Sequence, residues 1–246
     1  MATKAYHRFS NRIAYYNSDI ELCDALVEKF ITIPNSEDSV AVALGSDEQR
    51  YPHLSRRVNV RDSRNIVGQH LKATLHAAFI KDLFEDFSEF ISGTMTKAAL
   101  AGIDPARFVG EIKLDLHASE ILAAGNWDAA VRLVSDAIFR KLENERNTKD
   151  LLKKASARLG LDLDATLVAG AMPYLDARHI LVHRDGKADP LYRSDYPLIP
   201  LRNDKIVVNR DFVESARNAV DALARHIDDR IIQANLVRNQ DMSGQQ

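Results

Sequence analysis

The stretch from Asp176 to Tyr192, DARHILVHRDGKADPLY, holds Arg178, His179 and His183 within six positions. Three readings fit these residue types. Two histidines four apart on a helix can meet one metal ion. A third ligand is then required, and no Cys or further His lies nearby; Asp185 is the one close carboxylate. A zinc-protease helix also needs Glu directly after the first histidine, where this chain has Ile180. The second reading is acid–base work on a phosphodiester. Histidine, with a reference pKa of about 6.5, moves protons near neutral pH. Arginine offers the permanent, forked cation that a pentacoordinate phosphorane needs. RNA brings its own nucleophile in the 2′-hydroxyl, so Arg178 and His183 form a minimum set that requires no metal and no cofactor, with His179 orienting either. The third reading involves no chemistry. Leu181 and Val182 pack, the polar residues decorate a helix end, Asp185-Gly186 stops it, and the cations complement the last-turn dipole.

Spacing constrains the second reading. Five residues on a helix turn through about 500° and rise about 7.5 Å, so Arg178 and His183 would point about 140° apart. Either the helix unwinds before His183, or the site is composite. In a two-fold dimer, two such helix ends would gather two arginines and two histidines at one cleft. One histidine would act as base on the 2′-hydroxyl and its mate as acid on the leaving 5′-oxygen. The products would be a 2′,3′-cyclic phosphate and a 5′-hydroxyl. Arg184, Lys187 and Arg193 flank the motif as a basic island, suited to RNA phosphates or to a solvated loop. Tyr192 would stack on a base or pack under the loop. A second Arg-to-His spacing, Arg64 to His70, falls inside a long periodic helix and is read as decoration. Arg56, Arg57, Arg61 and Arg64 would extend an RNA path only if the fold brought them near.

The segment RHILVHRDGKAD resembles the signature of HEPN (higher eukaryotes and prokaryotes nucleotide-binding) domains: arginine, a polar residue, a short spacer, then histidine. Gly186, Asp189 and Tyr192 stand where such domains commonly carry a glycine, an acid and an aromatic. The last amphipathic stretch, residues 209 to 236, follows a hairpin-like connector as in that family. The resemblance covers residues 85 to 237, with its specific part in 176 to 192. It implies an all-helical, usually dimeric domain. In many members it also implies a metal-independent endoribonuclease of the RX4-6H type, found among toxins, abortive-infection and other antiviral systems. Other members have lost the motif and serve as binding or scaffold modules. RNA, a second copy of the chain, and a cognate antitoxin or defence partner are the partners this implies.

The rest of the chain limits the alternatives. Its 246 residues carry a formal net charge of −2, so any contact with nucleic acid must come from a local patch rather than a basic field. The single cysteine, Cys23, rules out an intrachain disulfide and suits a reducing compartment. The first residues show no apolar signal core and no run is long enough to span a bilayer, so a cytoplasmic location without membrane contact is expected. There is no Gly-x-Ser-x-Gly elbow, Walker loop or Gly-x-Gly-x-x-Gly turn. His7, His53, His76, His117 and His226 fall in no ligand or triad spacing.

These residues must be held by helices. Apolar spacing of three and four predicts helices over 19–31, 62–91, 126–142 and 209–236, with shorter ones over 104–118, 149–159 and 164–181. Trp127 and the group Phe79, Phe84, Phe87 and Phe90 are assigned to the core. Strand signals are confined to a small hairpin, 198–201 with 205–208 around Arg202-Asn203-Asp204, and to a weaker candidate at 40–44. The expected fold is mainly α: a HEPN-like helical bundle with a hairpin before the last helix. Three parts are expected: an N-terminal helix with a loop-rich extension (1–60), the helical domain (61–238) and a disordered tail (239–246).

Overall fold

A computed structural model describes residues 1–143 and 148–244. The fold is mainly α. Eleven α-helices and one two-stranded antiparallel hairpin are present among the described residues. The spine is α4 (Arg61–Leu100), 40 residues long, and therefore about 60 Å from end to end. Phe79, Leu83, Phe87 and Phe90 recur along its buried side. Helix α1 (Lys4–Ile31) runs antiparallel to it. At one end of this pair Phe9 meets Phe87 and Phe90 ring to ring. At the other, a Cβ on Gly68 would stand 2.7 Å from Val27 Cγ1, so glycine is what lets the two backbones approach.

Helix α1 begins fifteen residues before the expected start at 19, and the reason lies in its residues: Tyr6, Phe9, Ile13, Ile20, Cys23 and Val27 keep a spacing of three, four and seven, and all are buried. Tyr6, Phe9, Ile13 and Ile20 belong to the same continuous core as α4, α9 and α11. Within the connection to α4 lie two one-turn helices, α2 (Val40–Ala43) and α3 (Pro52–Ser55). Residues 40–44, read from β-branched content as a weak strand, instead turn as helix because Ser39 Oγ accepts from the Val42 N–H.

Beyond α4, the expected helix over 104–118 divides. Helix α5 (Pro105–Val109) stops at Gly110, whose φ of +57° is left-handed, and α6 (Ala118–Ala123) starts afresh. Helices α7 (Trp127–Glu143) and α8 (Thr148–Leu159) follow. Helices α9 (Ala165–His183) and α11 (Arg210–Gln233) pack on each other and on α4. Asn209 caps α11 through Oδ1 to the Phe212 N–H, and the apolar face from Val213 to Ile231 is buried as its spacing predicts.

Strands β1 (Leu201–Arg202) and β2 (Lys205–Ile206) pair around Asn203 and Asp204, which both have positive φ. Two central residues at positive φ make the mirror-image turn that matches strand twist. The chain end corrects another expectation. Residues 239–241 form a 3-10 turn, Met242 bridges to Thr3, and Ser243 donates to the Ala2 carbonyl from both its amide and its hydroxyl. Of the tail expected to be disordered, only residues 245–246 lie outside the described residues. No described helix is long and apolar enough to cross a membrane.

Candidate functional site

The motif lies at the C-terminal end of α9, between α4 on one side and the hairpin on the other. Asp164 caps the start of α9 with Oδ1 on the amides of Thr166 and Leu167. The helix then stays regular through His183, with Pro173 inside it. At its end the amides of Arg184 and Gly186 both donate to the Ile180 carbonyl, each at 3.1 Å. Asp185 and Gly186 turn the chain away at φ of +52° and +78°. The chain is next stitched to the hairpin. Ile206 N–H donates to the Gly186 carbonyl, Ala188 N–H to that of Asp204, and Lys187 pairs with Lys205. Asp189 caps the short helix α10 (Pro190–Asp195) through the Tyr192 amide at 2.8 Å.

Arg178 faces α4. Its Nη2 donates to Glu85 Oε1 at 2.6 Å, and its guanidinium carbon sits 5.0 Å from the centre of the Phe84 ring. Its Nε is buried with no hydrogen-bond partner. His179 and His183 are exposed one turn apart, with ring centres 4.8 Å apart and planes tilted by 49°. Because α9 is unbroken across both residues, the unwinding route is removed, and Arg178 and His183 diverge by about 140°. One chain therefore does not bring them to one phosphate.

A pocket of about 300 Å³ opens beside Arg178 and His179, and His183 is not among its walls. Its floor includes Asp176, a largely buried carboxyl that accepts from Tyr196 Oη at 2.5 Å. Burial pushes the Asp176 pKa up, and the hydrogen bonds from Tyr196 and Thr148 oppose that only in part. Tyr196 is raised in turn, first by burial and then by Asp176. Glu143, Asp189 and Asp195 also line the pocket, so carboxyls outnumber the single arginine there. Among the described residues, no group of three or more His, Cys, Asp or Glu side chains is placed to hold a metal ion.

The expected RNA-binding residues divide. Tyr192 is 5% exposed, and its hydroxyl donates to the Pro173 carbonyl at 2.7 Å. It buttresses α9 and offers no free face for a base, which corrects its assignment to RNA. Arg184 stands 3.5 Å from Asp189, and Arg193 is committed to the Ala188 carbonyl and to Asp204. Lys187 is exposed and in no ion pair among the described residues. The basic island is thus largely neutralised by its own loop.

The other Arg-to-His spacing is structural. Arg64 is 2% exposed and donates to Asn59 Oδ1, Asn35 Oδ1 and the Ile31 carbonyl, tying the end of α1 to the start of α4. Arg56, Arg57 and Arg61 are exposed near that end. The 21 helical steps of α4 from Arg64 to Glu85 put that end about 30 Å from the α9 site. Sequence reasoning missed Glu85, Phe84, Asp176 and Tyr196. Only Asp176 had a signal, adjacency to the motif. Comparison with known proteins found no matching family model, no similar curated protein and no similar solved structure.

Proposed function

We propose that the protein is a metal-independent endoribonuclease of the HEPN type, acting as a homodimer in the cytoplasm as a toxin or antiviral effector. The observation that carries this reading is the layout of the α9 end: an arginine held on one side, two exposed histidines in ring contact on another, and an unbroken helix between them. A two-fold related copy supplies the histidine that each arginine lacks. Arg178 stabilises the phosphorane, His183 moves the protons, and His179 keeps its neighbour's ring in place by contact. One histidine removes the 2′-hydroxyl proton as that oxygen attacks phosphorus. Its mate protonates the departing 5′-oxygen, leaving a 2′,3′-cyclic phosphate and a 5′-hydroxyl.

The test is cleavage of a mixed RNA pool in excess EDTA by wild type, Arg178→Ala and His183→Ala, each first shown to be folded and of unchanged oligomeric state. Cutting by the wild type that both substitutions abolish supports the reading, and a variant held monomeric should be inactive. A second reading, a non-catalytic dimeric binding or scaffold module, is favoured by the Arg178–Glu85 pair and by the carboxyls around the pocket. Absence of cutting at any concentration, with the dimer intact, would select it.

A further inference from the structure

Between α1 and the C-terminal half of α4, with α7 as the far wall, lies a cleft of about 320 Å³. Its charges follow the antiparallel packing of α1 on α4. On α1, Lys4, Arg8 and Arg12 stand one turn apart; on α4, Glu89, Gly93 and Lys97 do the same, and all six line the cleft. The first rung between the helices is complete: Arg12 Nη1 donates to Glu89 Oε2 and to Asp86 Oδ1. At the second rung α4 has Gly93 in place of an acid. Arg8 reaches back at 3.4 Å to the Glu89 that Arg12 already holds. By the same register Lys4 falls opposite Lys97, cation against cation. Lys97 is the poorest served of these groups. Its side chain is 20% exposed, and its one carboxylate, Asp241, stands 3.9 Å away and is also held by Arg238 at 3.1 Å. That distance makes an ion pair without a hydrogen bond. The ammonium is not sealed in, and Lys97 lines the cleft. Burial holds the Lys97 pKa below its ordinary value; Asp241 opposes the shift, and Arg8 and Lys4 add to it.

We infer that this cleft binds a small polyol phosphomonoester, its phosphate standing between Lys4, Arg8 and Lys97 where the second and third rungs lack a carboxylate. Charge sets the class. A carboxylate brings two oxygens and one charge, whereas a phosphomonoester near neutral pH brings three terminal oxygens and close to two charges, one oxygen for each cation. The bare backbone at Gly93 leaves it room, since a Cβ there would meet nothing within 4 Å. The rest of the lining sets the remainder of the ligand. Arg132 and Asp136 on α7 are exposed and in no ion pair among the described residues, so they offer a donor and an acceptor to hydroxyls. Phe9 and Phe90, the rings of the lining, are 2% and 3% exposed. Neither has a free face on which a base could stack, so a nucleotide fits less well. The inference is independent of the α9 site.

The experiment uses the full chain and follows binding by calorimetry at constant ionic strength, with glycerol 3-phosphate, inorganic phosphate and acetate as probes. Glycerol 3-phosphate should bind saturably at one site, inorganic phosphate about threefold more weakly, and acetate weaker than either by about tenfold or more. Lys97→Met, which keeps a similar length without the charge, should cost glycerol 3-phosphate about tenfold. Gly93→Glu supplies the missing acid. It should abolish binding and raise the urea midpoint above that of Gly93→Gln, which matches it in size and helix propensity without the charge. A gain in stability there separates lost binding from lost fold. No saturable binding, acetate as tight as glycerol 3-phosphate, or wild-type affinity in Lys97→Met or Gly93→Glu would overturn the proposal. Equal affinity for glycerol 3-phosphate and inorganic phosphate would overturn it as well, as the mark of an adventitious ion only. So would binding confined to vesicles that contain phosphatidic acid, which would make the ligand a membrane headgroup.

Discussion

The ion pair between Arg178 and Glu85 gives the proposed chemistry a sharp test. If Arg178 stabilises a phosphorane, it must exchange Glu85 for phosphate, and the pair is a brake on the reaction. Glu85→Gln keeps the length and an acceptor oxygen but removes the competing charge. The pair spans α9 and α4, with the Arg178 side chain 30% and the Glu85 side chain 55% exposed. It therefore belongs with solvent-screened pairs, at about 0.5–1 kcal/mol. The stack on Phe84 remains in the variant and holds the guanidinium in place with about 0.5–1 kcal/mol. Glu85→Gln should thus lower unfolding stability by less than about 1 kcal/mol. It should raise kcat/KM for RNA cleavage in EDTA by about two- to fivefold, the same energy expressed as a rate. The assay is initial-rate cleavage of a fluorophore–quencher RNA, run beside urea unfolding of the same preparation. Cleavage that falls in the variant, with unfolding unchanged, would refute the reasoning, because Glu85 would then be holding Arg178 in its working position. Unchanged cleavage would equally refute it, since Arg178 would not be leaving Glu85 at all.

Other outcomes follow from the packing. Arg64→Ala leaves the buried Asn59 Oδ1 without its donor and removes the bonds to the exposed Asn35 and the half-buried Ile31 carbonyl, and should cost about 1–3 kcal/mol in urea unfolding. His70→Ala should leave RNA cleavage unchanged, since its Arg64 partner is locked in the fold. Tyr192→Phe removes one hydrogen bond to Pro173 and should cost about 1 kcal/mol of stability with no change in RNA affinity, as read by filter binding. For Asp176 the folded pKa is raised, so its stabilising contribution is full below the ordinary carboxylate range and is lost as pH climbs through the folded value. Asp176→Asn, which keeps an acceptor for Tyr196, should therefore melt higher than wild type at neutral pH, with the gap closing on acidification.

The sequence carried the pieces whose causes are local. Asn209 before an acidic first turn marks the start of α11, and Asn203-Asp204 between apolar runs marks the hairpin turn, because cap and turn chemistry act within four residues. The end of α9 was expected near Leu181 and lies at His183, and that two-residue difference decides the site. An unwound His183 could share a phosphate with Arg178; a helical one cannot. The first half of α1 was legible in its three-and-four spacing but is crowded with tyrosines and charges, which hides an apolar stripe from a reading that weights aliphatic residues. Partners across the fold left no trace. Glu85 lies 93 residues from Arg178, and nothing in either neighbourhood announces the pair. The same holds for Thr3, whose amide and hydroxyl meet the buried carboxylate of Asp228, 225 residues away, and so tie the start of α1 into α11.

Charge at the α9 end also bounds how the protein would hold RNA. Arg178, Arg184, Arg193 and Lys205 are each committed to a carboxylate, on Glu85, Asp189, Asp204 and Asp185 respectively. Lys187 alone of these five cations is in no ion pair among the described residues. When Arg178 trades Glu85 for phosphate, Glu85 must recruit a cation from solution, so that exchange releases few ions. The proposed two-fold site would then contribute two uncompensated cations, one from each copy. For single-stranded nucleic acid the slope of log Kobs against log salt is about −0.7 per phosphate neutralised, so the expected slope is about −1.4. Recognition would depend on what the cleft accepts rather than on electrostatic capture, which is consistent with a chain whose formal net charge is −2. Filter binding of a short single-stranded RNA to the catalytically silent His183→Ala variant across a salt series measures the slope directly. A slope steeper than about −4 would require six or more phosphate contacts. The α9 end cannot supply those, and the RNA would then have to run to Arg56, Arg57 and Arg61 at the far end of α4.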